Sequence, residues 1–483
     1  MNILMCSSEA LPFSKTGGLA DVVYALSKEI AKKEKDDTMS IISPFYGSID
    51  KKKYRFKSLY TFNVKMNWRS IPTEIMHVEY EGIDYYLVKN DNYFARNGGL
   101  YGYYDDGERF AYFSLAVIEL IRRLPYEIDV VHCHDWQTGM VPCLLKEKYS
   151  HDTQLGKVKT VLTIHNPLFK GYFGVDSLYD FYELDVNLFY SGKIRLDGQV
   201  STLKAGIWYA DKITTVSPTH AYELKTPDGS KGLWYDLILR QNDFCGILNG
   251  MDYKEFNPAH DKLIYKNYNQ KNFAEGKRLN KKAFCEEFEL EQGKPLYSVV
   301  SRLSDQKGLE LINAMADFVV SSGGNFAIVG SGEKYAEDYY NALHMKYLHN
   351  VRVYIGYNNE MAHKCYAASD FFIMPSAFEP CGLGQMIAQR YGTLPIVRRT
   401  GGLKDSVIPY NYGLNNYKDA DGFGFDNFSV NDALKATALT LMVYNSRPKE
   451  FEKMRLNALK ADHSWTKPSQ EYLALYHSLM PKK

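Results

Sequence analysis

The chain has 483 residues, 45% of them hydrophobic and 24% charged, with a net charge of +1. That length exceeds what one hydrophobic core organises and implies two or three domains, while the near-zero charge excludes a general attraction to nucleic acid or to a membrane surface. Seven scattered cysteines (6, 133, 143, 245, 285, 365, 381) without a C-x-x-C argue against a disulfide framework or structural zinc, and with no secretory pattern and no membrane-length apolar run the expectation is a soluble cytoplasmic protein.

Residues 1–6 form a short apolar run that reads as a buried strand. The stretch Lys15-Thr16-Gly17-Gly18-Leu19-Ala20-Asp21 follows, and an amphipathic helix opens near Val22. Adjacent glycines put no Cβ between backbone and ligand, and the free N–H groups and dipole of a helix start suit a phosphate. Lys15 adds a mobile positive charge. The spacing is neither the dinucleotide fingerprint nor the phosphate loop of nucleotide triphosphatases, so a plain turn and a phosphate cradle stand equally open on this segment alone. A second copy, Thr400-Gly401-Gly402-Leu403-Lys404-Asp405, follows the apolar run 394–397 and points to two similar halves facing one ligand.

Between residues 41 and 88 the pattern is short and β-rich, and Lys51-Lys52-Lys53 is a solvated charge run. Residues 91–102 read as a polar loop with aromatics, and 107–124 as a long helix. A strand at 129–134 ends at Asp135-Trp136, a helix pattern covers 138–149, and a strand at 159–164 ends at His165-Asn166-Pro167. Strands alternating with helices imply a parallel sheet whose ligands sit beyond the carboxyl ends of the strands. Lys15, Asp135, His165 and Asn166 all stand at such ends. A strand at 213–217 and a turn at 247–252 lead to a boundary, followed by a polar connection with one helix over 254–293. From Pro295 the alternation restarts: strands at 297–301, 326–329, 351–355 and 371–374, helices at 309–320, 334–348, 360–368 and 383–390. Three helical patterns, 430–444, 448–461 and 468–480, close the chain.

Arg302 directly follows a strand and Lys307 directly precedes a helix, which suits a diphosphate clamp. Glu379, between a buried strand and a glycine-started helix, is placed to accept sugar hydroxyls or to face positive charge at an anomeric carbon; the alternative is an ordinary helix N-terminal charge. Cys381 has no base beside it and reads as a small packing residue. His132 and His134 share one face of a strand, but with no third ligand at a familiar spacing a metal is not assigned.

The ordered set Lys15 to Asp21, His134-Asp135-Trp136, Thr163-Ile164-His165-Asn166, Gly246-Ile247-Leu248-Asn249-Gly250, Ser301-Arg302-Leu303, Gln306-Lys307-Gly308, Glu379-Pro380-Cys381-Gly382-Leu383 and Thr400-Gly401-Gly402-Leu403 resembles the bacterial glycogen synthases, kin of plant starch synthases, over essentially the whole chain. The resemblance implies an α/β fold of the GT-B type, two Rossmann-like doubly wound domains facing a central cleft. It divides the chain into an acceptor-side domain at 1–245, a nucleotide-sugar domain at 246–455 and a C-terminal helix at 456–483 returning to the first domain. It implies transfer of glucose from ADP-glucose to the non-reducing end of an α-1,4-glucan, glycogen or malto-oligosaccharide, with retention of configuration. No metal and no cofactor beyond the ADP-glucose co-substrate are expected.

By the same resemblance, Lys15, Gly17 and Gly18 would contact donor phosphate, with Asp21 in the same substrate-binding set. Arg302 and Lys307 would hold the diphosphate, and Thr400 and Gly401 would offer it backbone N–H groups. His165 would contact the transferred glucose beside its reacting carbon, and Glu379 would bind that glucose's hydroxyls. Asp135, Asn166, Asn249 and Tyr93 would line the sugar pocket, and Cys381, Gly382 and Leu383 complete the set. Gly384 stands where the family usually has Thr or Ser, and Phe256 where it commonly has Trp. Three rivals remain: a related transferase using UDP-glucose or another acceptor, a pyridoxal-phosphate phosphorylase, whose lysine motif is missing, and a non-catalytic glucan-binding scaffold. The 39 tyrosines leave a surface glucan site open, with ordinary core and surface filling the weightier reading, and oligomeric state is open.

Overall fold

Most of the parallel strands that build this protein are short apolar runs, because parallel strands covered by helices are buried on both faces. Ile3, Leu4 and Met5 are wholly inaccessible to solvent. The computed structural model describes residues 1–33 and 37–481; residues 482 and 483 of the expected final segment lie outside them. The chain divides into two compact units, Met1–Gly250 with Trp465–Lys483, and Met251–Ser464. Residues 455 and 456 fall inside the helix Pro448–Lys460, and the segment that rejoins the first unit begins at Trp465.

In the first unit the strands are β1 (Asn2–Cys6), β2 (Thr38–Pro44), β3 (Lys57–Met66), β4 (Arg69–Tyr80), β5 (Ile83–Lys89), β6 (Val130–His134), β7 (Lys159–Ile164), β8 (Tyr172–Phe173), β9 (Arg195–Leu196), β10 (Gln199–Ser201), β11 (Lys212–Thr215) and β12 (Phe244–Gly246). Nine of them form one sheet in the order β12-β11-β7-β6-β1-β2-β5-β4-β3. It is parallel from β12 to β5, and β4 and β3 add an antiparallel edge. Exposure alternates along β3, as an edge strand with one wet face requires. A small antiparallel sheet, β8-β10-β9, is an addition that the sequence pattern did not announce. The final helix Thr466–Leu479 belongs to this unit: Trp465, Tyr472 and Tyr476 are buried in its core, and Lys33 Nζ donates to Thr466 O and Ser469 Oγ at 2.7 Å each.

The second unit contains β13 (Leu296–Val300), β14 (Asn325–Gly330), β15 (Val351–Ile355), β16 (Phe371–Met374), β17 (Leu394–Arg398) and β18 (Phe423–Phe425), all parallel, in the order β15-β14-β13-β16-β17-β18. That is the 3-2-1-4-5-6 order of a dinucleotide-binding fold.

Two local expectations change. The loop at 91–102 contains the short helix Asp91–Phe94, started by the Asn90 side chain, which accepts the N–H groups of Asn92 and Tyr93. The helix expected at 138–149 is two, Asp135–Thr138 and Met140–Glu147.

Candidate active site

In a doubly wound sheet the loops on either side of the strand where winding reverses splay apart and leave a crevice at the carboxyl ends. The reversal lies at β1, between β2 and β6, in the first unit and at β13, between β14 and β16, in the second. Most of the sequence-derived site residues fall in the loops at these two places.

In the first unit the loop after β1 is anchored by Glu9. Its carboxylate is buried and accepts the Thr16 N–H and, at 3.0 Å, the Thr16 hydroxyl. Burial raises the Glu9 carboxyl above its ordinary range, the Thr16 bonds pull it back, and the nearby Asp21 charge raises it further. Sequence reasoning missed Glu9: the letters of Ser7-Ser8-Glu9-Ala10 are not those of an apolar run, and only the structure shows the stretch buried, where a charge is sustained only by a partner. Beyond this anchor Gly17 and Gly18 are exposed, and a Cβ built on either meets nothing within 4 Å among the described residues. Lys15 Nζ lies 2.8 Å from Asp21 Oδ1 in a solvent-exposed pair. Such a pair contributes about 1 kcal/mol or less, so it does not hold Lys15 against an incoming anion.

The loops after β6 and β7 are joined by Asp135. Its backbone sits at φ 54°, and Oδ1 accepts the His165 N–H at 2.7 Å and the Asn166 N–H at 3.4 Å. Burial lifts the Asp135 carboxyl to about 7; the two N–H groups oppose this and the Glu9 charge adds to it. His165 Nε2 is 2.9 Å from His134 Nδ1, and burial lowers the His165 imidazole to about 3. Asn166 Oδ1 accepts the Leu168 N–H at 3.0 Å, closing the turn that follows. Tyr93 and Asn249 stand further along the sheet. Tyr93 follows β5, its hydroxyl donating to Glu108 at 2.5 Å and its ring stacked on Tyr112. Asn249 follows the edge strand β12 and is buried, with no hydrogen-bond partner for Oδ1 among the described residues.

In the second unit a cavity of about 290 Å³ opens where β13 and β16 end, lined among others by Arg302, Lys307, Ser376, Glu379, Gly382, Leu383 and Gly384. Lys307 closes the turn Asp305–Lys307, and its Nζ lies 2.6 Å from Glu379 Oε2 in a mostly buried ion pair. Ser376 Oγ donates to the same oxygen at 3.0 Å. Arg302 is exposed. Arg398 Nη1 donates to Ala377 O at 2.6 Å and stiffens the approach to Glu379. Gly382 sits at φ 75°, and Leu383 is the residue before the helix Gly384–Arg390. Cys381 is buried, and its carbonyl accepts from Gln385 Nε2 at 3.1 Å, which fits a packing role. A Cβ at Gly384 would stand 3.0 Å from the Phe372 ring, so the glycine at this position is matched to that phenylalanine.

Thr400 and Gly401 start the helix Gly401–Ser406 behind Glu379. Gly401 has φ 44°, and its Cβ would overlap the Glu379 carbonyl oxygen; the Gly402 N–H donates to the carbonyls of Glu379 and Pro380, each at 3.1 Å.

His132 and His134 do share a face, with rings 4.4 Å apart. Both His132 nitrogens are engaged, Nδ1 with the Tyr476 hydroxyl at 2.7 Å and Nε2 with Thr163 Oγ1 at 2.6 Å. Among the described residues no group of three or more His, Cys, Asp or Glu is arranged to hold a metal ion.

Residues 2–238 match a family model described as the starch synthase catalytic domain, and residues 280–443 one described as glycosyl transferases group 1. Glycogen synthases of Clostridium botulinum (strain Eklund 17B / Type B) and Lactococcus lactis subsp. lactis are 42% and 41% identical to this chain, each alignment covering 99% of it and 99% and 100% of those proteins. The catalytic domain of starch synthase IV from Arabidopsis thaliana, solved bound to ADP and acarbose, is similar with a TM-score of 0.89 at 31% identity, covering 99% of both chains. A sucrose-phosphate synthase from Thermosynechococcus elongatus shares the fold at a TM-score of 0.59 and 17% identity, covering 99% of this chain and 98% of that one.

Proposed function

The chain belongs to the glycogen synthase family, with the GT-B fold of a retaining hexosyltransferase, and we propose how its own residues carry out that activity. The donor is ADP-glucose, supported by the ADP in the Arabidopsis relative, and the acceptor is the non-reducing end of an α-1,4-glucan such as glycogen or a malto-oligosaccharide. The observation that carries the assignment of roles is the cavity of the second unit, where Arg302, Lys307 and Glu379 meet around about 290 Å³.

When the bond between glucose C1 and the phosphate oxygen breaks, negative charge gathers on the departing diphosphate and positive charge on the sugar ring. Preorganised cations at the leaving group supply the larger part of the stabilisation in such a step. Arg302 offers a bidentate fork and Lys307 a point charge for that diphosphate. Lys307 is held by Glu379 and so needs no reorganisation to present its ammonium group. Glu379, itself steadied by Ser376, is left with one carboxylate oxygen for sugar hydroxyls. The acceptor hydroxyl attacks C1 on the face the diphosphate leaves, and its proton passes to the leaving phosphate oxygen. That sequence forms one C–O bond, breaks one, and retains configuration without a protein nucleophile. Since Arg302 and Lys307 balance the charge, the reading expects turnover to persist in EDTA.

In the first unit Lys15 and the open Gly17-Gly18 backbone take phosphate, and His165 takes the transferred glucose beside its reacting carbon, presented by the Asp135 bridge. Asn166, Asn249, Asp21 and Tyr93 stay assigned to sugar or donor contacts. Localisation is assigned to the cytoplasm, where this sugar nucleotide would be at hand; no helix among the described residues is long and apolar enough to cross a membrane.

The deciding experiment is nucleotide release with glycogen present, comparing ADP-glucose with UDP-glucose for wild type and Arg302→Ala. The expected result is ADP release that depends on glycogen and falls about 10²- to 10³-fold in the variant. A preference for UDP-glucose overturns the donor, and full activity of Arg302→Ala overturns the clamp.

A further inference from the structure

Three imidazoles stand in a row across the carboxyl ends of β6 and β7. His132 and His134 stack at 4.4 Å and 28°, and His134 and His165 follow at 5.2 Å and 39°. His132 is fixed at both nitrogens, and the Thr163 hydroxyl it touches is in turn 2.6 Å from Thr214 Oγ1. The main chain of His134 is fixed as well: its N–H donates to Thr138 Oγ1 at 2.7 Å, and that hydroxyl donates to His134 O at 2.9 Å. His134 is therefore a wedge with one ring behind it and one in front, and its Nδ1 is 2.9 Å from His165 Nε2.

We infer that His134 is a positioning residue that holds His165 as the neutral tautomer protonated on Nδ1, so that His165 offers a ligand an N–H donor rather than a lone pair. The inference rests on the reading of His165 as a contact of the transferred glucose. Burial drives both imidazoles far below their ordinary range, so both are neutral at pH 7. Two neutral rings facing each other across a hydrogen bond share one proton: two protons would collide and two lone pairs would repel. Among the described residues His134 Nε2, which is buried, has no hydrogen-bond partner. An orphaned buried N–H is rarer in proteins than an under-used acceptor, so the proton of His134 sits on Nδ1 and the orphan at Nε2 is a lone pair. His165 Nε2 then accepts, and the proton of His165 is left on Nδ1. A neutral N–H donor suits a sugar oxygen and adds no positive charge beside an oxocarbenium-like carbon.

Three variants and one spectrum test this. His134→Leu fills the space without a polar atom, and His134→Asn places a side-chain amide donor near the lost Nδ1. His134→Leu is expected to lower kcat about 10- to 100-fold with little change in donor KM, as loss of orientation does, and His134→Asn to recover most of that loss. With ¹⁵N-histidine, the His165 signals, identified by their disappearance in His165→Ala, are expected to show the Nδ1–H pattern. Equal losses in Leu and Asn variants, or an Nε2–H pattern at His165, overturn the inference. An inactive His165→Ala beside a fully active His134→Leu overturns the positioning role alone. A fully active His165→Ala overturns the reading of His165 and the inference with it.

Discussion

Thr16-Gly17-Gly18-Leu19 and Thr400-Gly401-Gly402-Leu403 carry the same letters after the same kind of parallel strand, yet their glycines meet opposite needs. In the first unit a Cβ on Gly17 or Gly18 would meet nothing within 4 Å, and the loop depends on Glu9, which grips the Thr16 backbone. In the second unit Gly401 has φ 44°, and a Cβ on Gly401 or Gly402 would run into the carbonyls of Glu379 and Cys381. One pair has open space beside its backbone; the other lets two segments of the unit touch so that Glu379 is braced from behind. A repeated motif therefore does not mean repeated packing.

The largest consequence is steric. Gly401→Ala is expected to cost about 3 kcal/mol or more through overlap and an unfavourable φ, and Gly17→Ala about 0.5 kcal/mol or less. Thermal melts of the two variants check this, and a similar loss in both would erase the distinction between the loops. An intermediate effect belongs to the anchor. Glu9→Ala leaves the Thr16 N–H and hydroxyl without their acceptor, at a cost of about 1–3 kcal/mol, and Glu9→Gln, which keeps an acceptor oxygen, recovers much of it. Hydrogen exchange at the Thr16 amide reports the loss directly; unchanged protection in Glu9→Ala would remove the anchoring role.

The smallest effect per step is a slope in pH. The folded Asp135 carboxyl lies near 7, above an unfolded value of about 3.9, so the folded state holds the extra proton between those values. The stability that this group contributes is complete below about pH 4 and is lost as pH rises through 7, at no more than about 1.4 kcal/mol per pH unit. Asp135→Asn flattens that part of the curve. Asp421 in the second unit, also pushed to about 7 by burial, predicts the same sign there, and denaturant melts from pH 4 to 8 separate the two. A slope unaltered by either substitution would refute the assignment.

Much of this was legible because buried parallel strands write themselves as apolar runs, and β13 through β17 appear in the sequence within a residue or so of their ends. β18 is three residues, Phe423–Phe425, too short to carry a period, and the β8-β10-β9 sheet is built of two- and three-residue strands for the same reason. Arg302, Lys307 and Glu379 were readable as one cluster because strand ends in a parallel sheet converge. The Glu9 anchor and the His134 contact to His165 were not, since each is a pairing across space, the second spanning 31 residues. The contrast between the two glycine pairs was equally hidden, because it depends on what lies beside them rather than on their letters.

The segment from Trp465 onward adds an element of time. A ribosome finishes residues 1–250 and then makes all of 251–464 before Tyr472 and Tyr476 appear, yet those two rings are buried in the core of the first unit and Tyr476 bonds His132. The half that begins synthesis first is completed last. While the chain is growing, the His132 end of the histidine row lacks its tyrosine, so the first unit reaches its mature arrangement only after the second has been written. A stop codon at 465 would therefore injure the part of the molecule most distant from it in sequence.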